Sequence, residues 1–132
     1  MSGPHRPYES IFKHPCDFKV LYRFYTKEEG GRDNLPHQYI RSDFWYEDET
    51  HDNKDRMYMI YPEFEDENGN LIESGAVHRE GVARMWVVNP KWRAYHRQRV
   101  KMGTIGYFKE GFRTTGSCKV IEIVGLDTNP TE

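Results

Sequence analysis

Cysteine is nearly absent from this chain. Cys16 and Cys118 are far apart and form no metal-like pair. A lone disulfide is open, but two reduced thiols are the better reading. No His-x-x-x-His or Cys-x-x-Cys spacing supports zinc, and the six histidines do not cluster. Asp48, Asp52 and Asp55 alternate as acids, yet the ligand pattern of a calcium loop is not met. No Gly-x-x-x-x-Gly-Lys-Ser/Thr loop exists to cradle phosphates, so neither binding nor hydrolysis of GTP is expected. No apolar run is long enough to span a membrane, and no charged start with an apolar core marks a signal peptide. The expectation is a cytoplasmic protein without metal or cofactor. Several Ser and Thr fall in loops, but none has a recognisable base nearby in sequence, so the chain is not expected to be an enzyme.

Leucine and alanine are scarce, while aromatics make up 14% of the 132 residues, with nine Tyr, seven Phe and three Trp. Those residues favour strands, and the length suits one domain. The reading is an all-β domain over residues 17–127. A flexible lead-in, 1–16, precedes it, ordered where Tyr8, Ile11 and Phe12 dock; a short tail, 128–132, follows. Phe18, Val20, Tyr22 and Phe24 alternate with Lys19, Leu21, Arg23 and Tyr25, which marks a first strand with one apolar face. Tyr39 to Tyr46 is predicted as a second strand. Glu47 to Asp55 reads as a loop too polar to bury. Met57 to Tyr61 is a third strand, stopped by Pro62. Glu67-Asn-Gly-Asn70 is a hairpin turn signal. Val82 to Val88 is a strand ended by Pro90, with Arg84 and Trp86 facing opposite to Ala83, Met85 and Val87. Trp92 to Lys101 is a short helix or a long basic loop. Gly103 to Val124 reads as strand, turn, strand, with the turn over Lys109 to Gly116.

Net charge is only −2, but it is unevenly spread. Residues 47–67 hold nine acids and two bases, a net of −7, whereas 91–101 hold five bases and no acid. An acidic and a basic pole are expected.

Two segments carry a resemblance. Phe108-Lys-Glu-Gly-Phe-Arg-Thr-Thr-Gly116 is similar to the end of the third domain of elongation factor Tu, where the segment runs Arg-Glu-Gly-Gly-Arg-Thr-Val-Gly. Tyr25-Thr-Lys-Glu-Glu-Gly-Gly-Arg32 resembles that domain's first strand and following loop. Tyr39-Ile-Arg-Ser-Asp-Phe44 follows where the family has Gly-Tyr-Arg-Pro-Gln-Phe. The matches cover roughly the first and last thirds of residues 18–126, in the right order; the middle does not match. The resemblance implies a closed six-stranded antiparallel β-barrel, with the first strand and last hairpin side by side. It also implies a non-catalytic binding module contacting tRNA-like RNA or a translation protein.

Carried over residue by residue, Arg32 matches an arginine that reaches phosphate, and Glu110 and Gly111 match a pair contacting ribose and phosphate. The physics fits, since arginine forks onto phosphate and glycine admits close backbone approach. Four positions depart: Asp33 replaces a histidine, Phe112 a glycine, Asp43 a glutamine and Ser42 a proline. Two readings stay open for the loops. Arg32, Arg113, Glu110 and their neighbours either contact a partner or pair with one another to hold the barrel shut. Lys91, Trp92, Tyr95, Arg97 and Arg99 form a second candidate, as cations interleaved with aromatics that track phosphates and stack a base, or as a helix face that docks a protein. The alternative function is a protein-interaction or regulatory module that kept the barrel and lost the tRNA surface.

Overall fold

The computed structural model describes residues 5–50, 53 and 56–132. Six strands are found among them, all paired antiparallel in one sheet. Strand β1 (Phe18–Phe24) lies near the middle. Its alternation works as the side-chain period of two requires: Phe18, Val20, Tyr22 and Phe24 are buried, and Leu21 points to solvent. On one side β1 pairs with β4 (Glu80–Val87), which pairs with β3 (Ile60–Phe64). On the other it pairs with β6 (Arg113–Ile123), then β5 (Ile105–Glu110), then β2 (Asp43–Tyr46). The order is therefore β2-β5-β6-β1-β4-β3.

The sheet curls around aromatic side chains drawn from both flanks. Phe24 stacks on Phe108 with ring centroids 5.1 Å apart, and Tyr22 lies 5.0 Å from Phe64. Phe44 of β2 sits over Gly106 of β5, where an added β-carbon would stand 2.2 Å from the ring. The absence of a side chain at 106 lets β2 fold inward.

The expected closed barrel is corrected to a curled half-barrel. β2 and β3 share no ladder; one isolated bridge joins Phe44 of β2 to Tyr58, in the segment just before β3. The reason lies on the outer edge of β3. Tyr61, Glu63 and Glu65 face β4, so Ile60, Pro62 and Phe64 face the seam. The Ile60 amide donates to the Tyr58 carbonyl, Pro62 has no N–H, and the Phe64 amide donates to Gln38 Oε1 at 2.5 Å. Gln38 Nε2 in turn donates to the Phe64 and Ile72 carbonyls. Side-chain bonds occupy the place of a strand pair.

Other boundaries move for local reasons. The second strand is only Asp43–Tyr46, because Ser42 leaves the sheet to bond the Lys109 carbonyl. Pro62 does not stop the third strand, since an edge position needs no donor. Asp48 and Asn53 are buried within the loop read as too polar to bury; Arg99 pairs with Asp48, and the Asn53 amide donates to the Tyr46 carbonyl. Trp86 faces away from the core, as its alternation implied, but is nonetheless buried. Helix α1 (Tyr8–Phe12) covers it, with Tyr8, Phe12 and His14 each about 5.8 Å away ring to ring. The first half of the basic stretch is helical: a 3-10 turn, Pro90–Trp92, capped by Asn89, leads into α2 (Arg93–Arg97). No helix among the described residues is long and apolar enough to cross a membrane. Both cysteines are buried and unpaired.

Candidate functional site

The two Glu-Gly loops meet at one end of the half-barrel. Antiparallel pairing of β1 with β6 places Phe24 opposite Gly116, so the loop after β1 lies beside the β5–β6 hairpin. Arg32 Nη1 donates to Glu110 Oε1 at 2.5 Å, and its Nε to the Asn34 carbonyl at 3.1 Å. Arg113 reaches across to the Gly30 carbonyl at 3.1 Å and to the Gly31 carbonyl. Glu29 is held by a fork from Arg23 and by the Thr26 amide, which together bring its carboxyl down to about 2. Asp33 lies 3.9 Å from Lys27 at the surface. Glu110 Oε2 is enclosed without a partner among the described residues.

The hairpin turns tightly at Gly111, whose φ of +64° few side chains adopt, and Phe112. Phe112 stands 95% exposed at the tip. A cleft of about 530 Å³ runs below, lined among others by Arg32, Tyr39, Arg41, Asp43 and Glu110. Partial burial pushes the Asp43 carboxyl up.

The second group lies at the other end. Asp17, just before β1, receives Arg93 of α2, while Phe24 ends β1 at the loop cluster. The seven residues of β1 separate the two groups by about 20 Å. Lys91, Trp92, Tyr95, Arg97 and Arg99 are thus not continuous with Arg32, Glu110, Gly111 and Arg113.

Nor is the basic stretch a solvated track. Arg93 is buried, with Nε on Asp17 Oδ1 at 2.7 Å and other donors on the Val87 and Pro130 carbonyls. Arg97 donates to the Leu126 and Asn129 carbonyls at 2.5 and 2.6 Å. Arg99 reaches Asp48 at 3.0 Å and stacks 3.7 Å over the Tyr95 ring. The acidic and basic segments therefore touch rather than forming separate poles. Lys91 is exposed, Trp92 is 41% exposed, and Tyr95 shares a hydroxyl contact with Tyr58.

The residue the sequence reading missed here is His96. It is buried between Tyr46, Tyr58 and Trp92, and its Nδ1 lies 2.8 Å from the Tyr46 hydroxyl. Burial, then the charges of Arg99 and Arg93, bring its pKa down to about 3. The signal was available: Trp92, Tyr95 and His96 follow the i, i+3, i+4 spacing of one helix face.

No protein-family model matches the chain, and no curated protein matches it by sequence.

Proposed function

We propose that the chain is a non-catalytic protein-interaction module, a curled half-barrel resembling the elongation factor Tu third domain at two loops, that lacks the tRNA surface and presents the β5–β6 hairpin tip to a partner protein. The observation that carries this reading is the division of labour at the tip. The arginines that would hold phosphate are engaged internally, Arg32 by Glu110 and Arg113 by two backbone carbonyls, while Phe112 projects almost fully into solvent. RNA binding draws its affinity from cations free to neutralise phosphates. A lone projecting aromatic beside polar loops is instead the form of an anchor that fills a partner's pocket. The resemblance makes a translation protein the partner to seek first.

Photo-crosslinking from a benzophenone-bearing residue at position 112, in an extract of the source cells, tests this, with a parallel salt series on an acceptor–T-stem RNA hairpin. A discrete protein crosslink, competed by unlabelled wild type but not by Phe112→Ser, is expected, with no retardation of the RNA at low salt. Phe112→Ser should change folding stability by less than about 0.5 kcal/mol, because the side chain touches little. RNA retardation that Arg32→Glu abolishes would overturn the reading.

A further inference from the structure

At the end of the half-barrel remote from Phe112, a cavity of about 300 Å³ opens between the segment before β3 and helix α2. Its walls are Met57, Tyr58, Met59, Val87 and Trp92, with the buried His96, the exposed Arg56 and Asn89, whose Oδ1 is already taken by the Lys91 amide, as its polar residues. That volume sits at the lower end of small-molecule clefts, and the lining, mainly apolar with a few polar groups, has their usual make-up. Met57, Met59 and Trp92 remain partly exposed there, although each is large and apolar.

The polar groups point to one chemistry. The Tyr46 hydroxyl is buried, and its hydrogen-bond partner is His96 Nδ1. Burial keeps that phenol protonated, and its hydroxyl meets Nδ1 as donor or as acceptor according to the tautomer of the ring. His96 is neutral, and the tautomer in which the Tyr46 hydroxyl donates to Nδ1 carries the single ring proton on Nε2. That atom has no protein partner among the described residues, yet the ring lines the cavity. In that tautomer a side chain 99% buried holds out an unused donor. Arg56, whose guanidinium lies 6.0 Å from the Trp92 ring, makes no ion pair among the described residues. One neutral donor at the base and one cation at the mouth ask for an acceptor-rich anion. An indole face and two thioethers ask for a flat apolar body.

We infer that this cavity is a binding site for a small aromatic carboxylate. The ring lies against Trp92 and Tyr58 with the methionine thioethers opposite, and the carboxylate accepts from His96 Nε2–H and Arg56. The site is independent of the hairpin tip, which lies about the length of β1 away.

Methyl NMR of protein labelled at methionine, titrated with phenylacetate, tests this. The Met57 and Met59 signals should move and saturate at about millimolar ligand, while Met85 in the core and Met102 on the surface stay put. Phenylacetamide, neutral and of the same shape, should bind about tenfold more weakly. Arg56→Gln, an exposed change, should remove that preference without altering the Met85 signal. Absence of saturable movement at Met57 and Met59, equal movement at Met102, or equal binding of acid and amide would overturn the assignment. A tripeptide ending in phenylalanine that bound tenfold tighter than phenylacetate would overturn its small-molecule character.

Discussion

His96 titrates in the direction that burial imposes. Its folded pKa, about 3, lies below the ordinary imidazole value, so between those limits the unfolded chain takes up a proton that the folded chain refuses. Stability is fully present above about pH 6.5 and is lost as the pH falls, by at most about 1.4 kcal/mol per unit. Arg93 and Arg99 add to the effect, since each repels a proton on the ring. Urea midpoints of wild type and His96→Gln, measured from pH 7 to 5, should converge as the wild type loses this contribution. A constant gap across that range would count against a neutral buried ring. The sequence displayed the Trp92-x-x-Tyr-His96 spacing but not the depth of the ring. Depth comes from Tyr46 and Tyr58, about fifty and forty residues earlier in the chain, and from a curl that no local pattern encodes.

At the scale of elements, β1 was legible because its alternation is a local consequence of the pleat. The two Glu-Gly loops meet as expected, because β1 pairs with β6 and sets Phe24 opposite Gly116. Less was visible where one element changes the surroundings of another. Trp86 sits on the outer face, and only α1 makes it buried. Arg93, Arg97 and Arg99 read as a basic surface run, but partners from Asp17, the C-terminal segment and the acidic loop withdraw them from solvent. Gly106 has the same character: nothing nearby in sequence requires a glycine, whereas Phe44 across the strand pair does. Gly106→Ala should push the ring outward and cost roughly 1–3 kcal/mol, the range for overpacking a filled core. Thermal unfolding checks this, and Phe44→Leu in the same chain should recover part of the loss by making room.

For the molecule as a whole, the C-terminal residues bind the segment before β1 and helix α2. The Asn129 side chain donates to the Pro15 carbonyl and to Asp17 Oδ1, and the Pro130 carbonyl accepts from Arg93. Residues read as a tail thus complete the shell around a buried ion pair, Asp17 with Arg93. A chain ending at Asp127 should lose roughly 3 kcal/mol, as buried donors and acceptors go unmatched. Equilibrium urea unfolding would show a lower midpoint with an unchanged slope; an unchanged midpoint would make those bonds incidental. The open seam has a different consequence. A sheet that does not close leaves a margin on which a second chain could add itself, the first step of fibril growth. Along β3 that margin offers no amide hydrogen: one is turned back on its own chain, one is missing at a proline, and one is taken by Gln38. An incoming strand would find nothing there to accept. By this route the β3 margin of an unclosed sheet withholds its donors from self-association, part of what a closed barrel achieves by geometry.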